Sequence, residues 1–317
     1  MTTFQPPAGR TGRQLTWSHK VSAFFFRHPR LRIALLLVLP GMWLGLVYLG
    51  SLLALVLQSF YRLDEFSGTI DKTITLDTWR SLFTGVVRDT VVRTMLMAAA
   101  VTVTCAAIAL PIGYFMARVA TARAKAALYV AVLMPLWASY IVRVYSWRQI
   151  LAAEGVIPWV ADRLHLTWLL DGVLGLPSVG GPDLVSSMAG QFLVFVYIWL
   201  PYMILPVQAA LERVPKSFLD ASADLGARPA TTFRRVTWPL AIPGIVAGSI
   251  FTFSLTLGDY IIPTLVGASK PSIGLSIYQF QGVAGNLPLA AAYTMIPISI
   301  MAVYLLVARR MGAFEAL

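Results

Sequence analysis

Charged residues are scarce in this chain. Only 12% of its 317 residues are charged, whereas a soluble domain carries about 25%. One cysteine cannot form an intrachain disulfide, and three scattered histidines form no metal-binding pattern. These shortages argue against a soluble globular protein and leave no hydrolytic or metal site. Apolar side chains are abundant instead, at 58% of the chain, with a mean hydropathy of +0.73.

Six uncharged stretches are candidates for membrane helices. A membrane helix needs about 20 apolar residues, and five of the stretches reach that length. The stretch 126–142 has 17 residues and becomes long enough if Arg143 extends its charge outward. The sequence therefore predicts an all-α membrane protein with a transmembrane domain over residues 31–310. The six predicted helices cover about 31–60, 91–117, 126–148, 185–211, 238–263 and 289–308.

The first 30 residues are basic and contain two adjacent prolines. They resemble the charged start of a signal peptide, but the apolar run that follows is too long and no A-x-A cleavage pattern closes it. We therefore predict that residues 1–30 form a retained cytoplasmic tail. Its SAFFFRHPR segment is a candidate for a helix along the membrane surface.

The loop charges predict which side of the membrane each loop faces. With six crossings both termini share one side, and that side receives 16 of the 25 basic but only 4 of the 14 acidic residues. Because positively charged loops stay in the cytoplasm, we predict that both termini are cytoplasmic. A basic face against anionic lipid then explains the net charge of +11. No nucleic-acid partner is expected.

A polar segment, residues 211–239, separates the fourth and fifth predicted helices. Pro215 suits the first turn of a helix, Gly226 suits the left-handed residue that ends one, and Pro229 can begin the next. The pattern predicts two short helices joined by a glycine turn on the cytoplasmic face. It fits a plug for a groove on another protein or a connector packed on its own helices. A DNA-binding helix-turn-helix is disfavoured because a third helix is missing.

This segment resembles the cytoplasmic "EAA" loop of ABC-importer permeases. The family pattern is E-A-A, three residues, Gly, nine residues and I-x-L-P. Here Asp220-Ala221-Ser222 is followed, at the same spacing, by Gly226 and by Val236-Thr237-Trp238-Pro239. The resemblance implies a MetI-like type I importer fold and a coupling helix that inserts into a cleft on a separate ATPase. The residues expected to couple the two subunits are Asp220, Ala221, Ser222, Gly226, Arg228, Arg234 and Arg235.

The same resemblance implies the partners. They are two copies of an ABC ATPase, a second homologous permease in a heterodimer and an external substrate-binding protein, assembled at a bacterial inner membrane. The chain contains no G-x-x-x-x-G-K-[ST] motif. ATP and Mg²⁺ would therefore be bound by the partner subunits, and this chain would be a transport subunit rather than an enzyme.

Two further segments resemble one branch of these permeases, which serves polyamines and opines. The branch pattern P-x-W-x-S-x-x-x-R-x-Y-x-W is matched by PLWASYIVRVYSW, residues 135–147. The segment GSIFTFSLTLGDYIIPTLVG, residues 248–267, resembles the fifth helix of that branch. Spermidine or putrescine is the first substrate that this resemblance implies. Opines, other amino-acid-like solutes, aminoethylphosphonate and iron complexes remain open.

Asp259 is the first candidate for the solute pathway. It follows 23 uncharged residues, and acids inside a membrane usually face a cavity or a partner. A carboxylate in that position would attract a cationic amine. Asp259 could instead pair with Arg143 or lie at the wet membrane interface.

Aromatic residues form the second candidate group. The faces of Trp and Tyr attract cations within about 6 Å, but the same residues also form belts at membrane interfaces. An arginine in this group would repel an amine and attract a carboxylate. Tyr197 and Trp199 are weaker candidates, for which core packing is favoured. The main group is Trp137, Tyr140, Arg143, Tyr145, Trp147 and Tyr260.

The outer loop 154–183 contains an amphipathic segment that predicts a short surface helix. This helix could be a docking rim for a binding protein or a simple cap on the membrane. The main alternative function is an ion-coupled secondary transporter that acts without an ATPase. Such a transporter would be expected to show internal repeats and paired ionisable residues inside the membrane, and the sequence offers no convincing example of either.

Overall fold

The computed structural model describes Phe26 and residues 28–64, 66–267 and 270–310. Most of the predicted cytoplasmic tail, residues 1–30, lies outside the described residues, as do five of the nine residues of its SAFFFRHPR segment. The chain divides into two compact units between Leu57 and Gln58.

The first unit contains the first membrane helix. α1 (Pro29–Met42) continues through a π-helical segment, Trp43–Leu49, into α2 (Gly50–Gln58). The stretch Ile33–Gln58 has a mean hydropathy of 2.1 over its most apolar window, which is enough to cross a membrane. The predicted helix over 31–60 is therefore present as one nearly continuous span.

Short elements precede the second span. β1 (Arg62–Leu63) pairs in antiparallel register with β2 (Ile70–Asp71), and α3 (Asp77–Ser81) follows. The turn between the strands is held by Asp64, whose carboxylate accepts a hydrogen bond of 2.9 Å from the Phe66 amide. This bond to the charged form lowers the pKa of Asp64 below its ordinary value.

The second span is α4 (Gly85–Tyr114), which ends in a π-helical turn, Phe115–Val119. The predicted third helix, which follows it, is broken in the structure and begins with α5 (Ala122–Trp137). α6 (Tyr140–Leu151) then begins at a bend of 96°. Five helices of the described residues are long and apolar enough to cross a membrane, and the bent pair makes a sixth span if it is counted as one.

The prediction of one continuous helix over 126–148 is therefore wrong. Ala138 and Ser139 have extended backbone, with ψ angles of 144° and 138°, and this stops the helix. Hydropathy could not show the break, because the residues on both sides of it are apolar. The outer loop also differs from its prediction, since it carries two short helices, α7 (Val156–Arg163) and α8 (Thr167–Leu174), where one was expected.

The remaining helices place the polar segment between two long spans. The predicted helix over 238–263 stops earlier, at Gly258, because Asp259 has extended backbone with ψ of 135°. In chain order the elements are α9 (Met188–Arg213), α10 (Lys216–Asp224), α11 (Pro229–Thr232), a π-helical turn at Phe233–Thr237, α12 (Trp238–Gly258), α13 (Ile261–Leu265), α14 (Ile273–Tyr278), a π-helical turn at Gln279–Val283 and α15 (Leu287–Arg310).

Three long helices, α4, α9 and α12, form the core of the second unit. α12 approaches α9 closely through glycines: a Cβ added at Gly244 would lie 2.5 Å from the Ala210 Cβ, and one added at Gly248 would lie 2.6 Å from the Met203 Sδ. Small residues permit this close approach between membrane helices. The packed interior contains the fully buried side chains of Val101, Cys105, Val144, Ile198, Met203, Val207 and Leu257.

Candidate functional site

The polar hairpin, residues 215–237, projects between α9 and α12 as predicted. α10 begins after Pro215 and ends in a turn at Gly226, which has a left-handed φ of 73°. The Ala227 amide donates to the Ser222 carbonyl at 3.1 Å, and the Gly226 amide donates to the Ala223 carbonyl at 2.8 Å. This pair of bonds is the Schellman arrangement, which requires a left-handed residue. The prediction of a first short helix and a glycine turn is confirmed. The prediction of a separate second short helix is wrong, because the helix that begins at Pro229 continues to Gly258.

The two legs of the hairpin are tied to each other. The hydroxyls of Ser222 and Thr232 lie 2.9 Å apart, within hydrogen-bond distance. The second leg runs from Pro229 through the π-helical turn into α12, so that residues 229–258 form one helical rod of 30 residues.

The hairpin exposes most of the residues that the sequence predicts for coupling. Ser222 is partly covered, whereas the other six are exposed: Asp220, Ala221, Gly226, Arg228, Arg234 and Arg235. Phe218 and Leu225 are also exposed, to 53% and 88% of their surfaces. Between the legs lies an open groove of about 880 Å³ that reaches from Phe218 to Leu240. The combination of apolar surface with a charged rim is typical of a protein-binding site.

At the opposite end of the second unit, Asp259 joins two breaks in helices. One carboxylate oxygen accepts a hydrogen bond from the Tyr140 hydroxyl, at the start of α6. The other accepts a bond of 3.0 Å from the Ile262 amide, in the first turn of α13. One break lies between α5 and α6, and the other lies between α12 and α13. The Asp259 carboxylate therefore connects the helix start that follows one break, in α6, to the helix start that follows the other, in α13.

Arg143 and Trp199 complete the surroundings of Tyr140. The Tyr140 ring stacks on Trp199 with centroids 5.8 Å apart, and the Arg143 guanidinium lies 5.8 Å from the Tyr140 ring centre. Within the described residues, Arg143 forms no ion pair with Asp259, so the pairing considered for these two side chains is not what the structure has. The arginine contacts the aromatic ring instead.

The other aromatic candidates of the third span do not join this cluster. Trp137, before the break, is 79% exposed, and Tyr145 is 48% exposed. Trp147 packs on Tyr197 with ring centres 5.0 Å apart. Exposure at Trp137 and Tyr145 is the placement expected of an interfacial belt.

A second aromatic pair borders a cavity beside the end of α12. The rings of Tyr260 and Tyr278 stack with centroids 4.7 Å apart and planes inclined by 13°. They line an open cavity of about 540 Å³ together with Gly258 and Gln281. Sequence reasoning selected Tyr260 but missed Tyr278 and Gln281, because neither lies in a segment that resembled the family. Only the structure brings α14 alongside the end of α12.

The described residues hold no cluster of three or more His, Cys, Asp or Glu side chains that could bind a metal. The polar side chains around the cavity are the Gln281 carboxamide and the phenols of Tyr260 and Tyr278, and the cavity lies beside the C-terminal end of α12. The carbonyls at the C-terminal end of a long helix carry partial negative charge, and the faces of the two tyrosines attract cations. The cavity is therefore suited to an organic cation.

The chain is similar to known membrane transport proteins over nearly its whole length. The family model for the binding-protein-dependent transport system inner membrane component matches residues 109–313. The inner membrane ABC transporter permease protein YdcU of Escherichia coli (strain K12) is 54% identical over 298 residues, which are 94% of this chain and 95% of the relative.

More distant relatives agree in family and fold. The spermidine/putrescine transport system permease protein PotB of Escherichia coli (strain K12) is 26% identical over 84% of this chain and 92% of its own length. Among solved structures, a chain of the bacterial alginate ABC transporter, in complex with an alginate pentasaccharide-bound periplasmic protein, matches with a TM-score of 0.68 at 14% identity. That match covers 92% of this chain and 98% of the other. At such low identity it shows the fold alone. The resemblance to MetI-like ABC-importer permeases is confirmed.

Proposed function

The chain belongs to the family of binding-protein-dependent transport system inner membrane components, and we propose that, as an ABC-importer permease, it carries polyamines across a bacterial inner membrane. The observation that carries the coupled part of this proposal is the polar hairpin. It is exposed, built on a glycine turn and continuous with a 30-residue rod. The exposed Leu225 at its tip favours a docking site for a partner over a connector packed on its own helices.

The hairpin is the docking site for an ATPase in this proposal. Two ATPase copies bind ATP and Mg²⁺ on their own surfaces, close, and displace the hairpins of this chain and of a second homologous permease. The hairpin end then faces the cytoplasm together with both termini. Arg118 and Lys125, which the loop-charge argument also assigns to that side, lie beside the base of the hairpin and support this orientation.

Polyamine transport is supported by the cavity at the far end. Spermidine and putrescine are flexible chains with several ammonium groups, and an ammonium is attracted to tyrosine faces and to the carbonyls that end a helix. Tyr260, Tyr278 and the end of α12 offer both groups around one cavity. An external binding protein would capture the solute and deliver it to this end. The 26% identity to PotB points in the same direction.

Asp259 takes a positioning role in this proposal rather than that of a free ligand. Both of its oxygens accept hydrogen bonds from the protein. It therefore holds the end of α12, and with it Tyr260, at the rim of the cavity.

Reconstitution tests the coupled part of the proposal. The complete complex, with ATPase, second permease and binding protein, is placed in liposomes and the uptake of labelled spermidine is measured. We expect uptake that requires ATP and is blocked by vanadate, and no uptake by liposomes that hold this chain alone. Transport by the isolated chain without ATP would overturn the proposal in favour of a secondary transporter.

A second experiment tests the substrate class. Tyr278→Ala removes one ring of the pair, whereas Tyr278→Phe keeps the aromatic face and serves as the matched control. A lost cation–π contact should raise the KM of spermidine uptake about fivefold in the alanine variant and leave the phenylalanine variant near the wild type. If wild-type uptake is competed by an opine or by aminoethylphosphonate but not by putrescine, the polyamine assignment is wrong.

A further inference from the structure

The second span touches the base of the polar hairpin, although it lies about a hundred residues away in the sequence. Arg118, in the π-helical turn that ends α4, donates through one Nη2 to two carbonyls, those of Leu211 and Val214, each at 2.6 Å. Leu211 lies in the last turn of α9 and Val214 lies directly after that helix. The contact is therefore located where the chain leaves α9 for the hairpin.

These two carbonyls need a partner from elsewhere in the chain. The last carbonyls of a helix have no partner within the helix itself, and Leu211 and Val214 are buried at 0% and 5% exposure. A guanidinium is permanently charged and can reach two acceptors from one rigid plane. Hydrogen bonds from a charged donor are about twice as strong as neutral ones. Arg118 therefore caps α9 from a different span.

The position of this contact matters because the chain can bend there. Val214 and Pro215 both have extended backbone, with ψ angles of 118° and 140°. They form a two-residue joint between α9 and α10. Such a joint allows the angle between the two helices to change unless a further contact restrains it. Arg118 holds the carbonyl of Val214, which is one half of the joint.

The same end of α4 also contacts the second leg of the hairpin. The edge of the Tyr114 ring meets the Phe233 ring, with centroids 6.0 Å apart and planes at 79°. Phe233 begins the π-helical turn that leads into α12. Tyr114 and Arg118 are four residues apart, which makes them neighbours on the surface of a helix. One face of the second span therefore holds the end of α9 through Arg118, directly before the hairpin, and the second leg of the hairpin through Tyr114.

Close packing and an ion pair support this grip. A Cβ added at Gly113 would lie 3.1 Å from the Val207 Cγ1 and 3.2 Å from the Gln208 nitrogen, so α4 already lies against the backbone of α9. From α5, Lys125 pairs with Glu212, the residue after Leu211. The base of the hairpin, which is the end of α9 at Leu211–Val214, is thus held by α4 and α5, which are not its neighbours in the sequence.

We propose that Arg118 and Tyr114 are positioning residues that transmit a displacement of the hairpin directly to the second span. This inference rests on the proposed function, in which an ATPase moves the hairpin. The chain itself connects the hairpin only to α9 and α12. When Arg118 contacts the end of α9 and Tyr114 contacts Phe233, a displacement of the hairpin moves α4, α9 and α12 together. Without these contacts, the joint at Val214 and Pro215 absorbs part of the motion.

The decisive variant is Arg118→Met in the complete complex, since methionine has a long side chain but no donor. The measurement is the number of solute molecules imported per ATP hydrolysed in liposomes. We expect the variant complex to hydrolyse ATP while the imported solute per ATP falls at least about tenfold, because both charge-assisted bonds, to the carbonyls of Leu211 and Val214, are lost. Arg118→Lys keeps the charge with a single donor group and should lie between the variant and the wild type.

A purely structural role predicts a different result, namely fewer assembled complexes with an unchanged ratio of solute to ATP. Tyr114→Leu, with Tyr114→Phe as its matched control, tests the second contact independently and decides the matter if Arg118→Met fails to assemble. The leucine variant should lower the ratio and the phenylalanine variant should not. If the wild type shows no ATP-dependent uptake, the proposed function fails. If the wild type imports solute at the expense of ATP and Arg118→Met imports as much solute per ATP, the inference about Arg118 and Tyr114 fails and the proposed function stands. If Arg118→Met does not assemble, the same result for Tyr114→Leu has the same meaning.

Discussion

The two ends of the second unit are built differently. At the hairpin end, two helices run through, since residues 229–258 form one rod and α4 continues into its π-helical turn. The third, α9, stops there at the joint of Val214 and Pro215. At the far end, helices are broken, once between α5 and α6 and once between α12 and α13. Both ends use a single charged side chain to tie separate segments together, Arg118 at one end and Asp259 at the other.

This difference matches what each end has to do in the proposed importer. A helix that is continuous and capped passes a displacement along its axis with little loss. A break allows the segments on either side to change their angle, which a solute path needs if it is to open and close. The tie through Asp259 then fixes the angle in one state, because the carboxylate holds the start of α6 and the start of α13 together.

The largest effect should come from crowding the continuous end. Gly244→Val would place side-chain atoms where even a Cβ lies 2.5 Å from the Ala210 Cβ and 2.6 Å from the Pro206 carbonyl oxygen. Overpacking of this kind costs about 1–3 kcal/mol or more. We expect little folded protein in detergent and a lower unfolding temperature. The matched change at the far end, Gly258→Ala, adds a methyl group that meets no atom within 4 Å, and its unfolding temperature should stay near the wild type.

The next effect concerns the turn rather than the packing. Gly226 has a φ of 73°, and a Cβ there would meet nothing within 4 Å. Gly226→Val is therefore strained only by its backbone conformation, at about 1–2 kcal/mol. We expect the membrane helices to insert normally while ATP-coupled uptake falls sharply. Gly226→Asn, which tolerates the left-handed conformation, should retain most of the uptake, and equal uptake by both variants would remove the hairpin from the coupling route.

A smaller loss of uptake should follow at the far end. Tyr140→Phe deletes the hydroxyl that donates to Asp259 and leaves one carboxylate oxygen without its partner, at a cost of about 1–3 kcal/mol. We expect a lower unfolding temperature and slower uptake. The double variant with Asp259→Asn separates the two roles of the acid: if Asp259 only positions the breaks, Asp259→Asn should add little once Tyr140 is phenylalanine. A large additional loss of spermidine uptake would mean that the carboxylate binds solute directly.

The smallest effect should come from the ion pair between Lys125 and Glu212. Both side chains are about one-third exposed, and solvent screens a pair of this kind so strongly that it contributes little to stability. Lys125→Ala should change the unfolding temperature by a degree or two and leave the solute imported per ATP unchanged. An effect as large as that of Arg118→Met would show that the grip on the hairpin depends on both cations equally.

Sequence reasoning succeeded where the signal was local. The positions of Pro215, Gly226 and Pro229 predicted the hairpin because each residue restricts the backbone at its own position. The uncharged stretches located the membrane helices for the same reason, since hydropathy is a property of contiguous residues. The start of the second span was placed too late, at 91 rather than at Gly85, because the uncharged stretch begins only after Arg93, whereas the helix also includes Arg88 and Asp89.

Contacts between distant residues were beyond that reasoning. Asp259 and Tyr140 are 119 positions apart, and no spacing rule connects them. The acceptors of Arg118 are backbone carbonyls, which every residue carries, so the residue type at Leu211 or Val214 gives no sign of the bond. The break at Ala138 and Ser139 contains neither glycine nor proline, and the backbone there turns without the residues that usually mark a turn.

Leu225 at the tip of the hairpin has a consequence for the supply of this protein in the cell. With 88% of its surface exposed, Leu225 presents an apolar side chain to water on every copy that is not bound to the proposed ATPase. Exposed apolar surface is what chaperones and proteases bind. We expect surplus copies to be removed faster than assembled ones, so that a hairpin that docks the proposed ATPase would also keep the two subunits in balanced numbers.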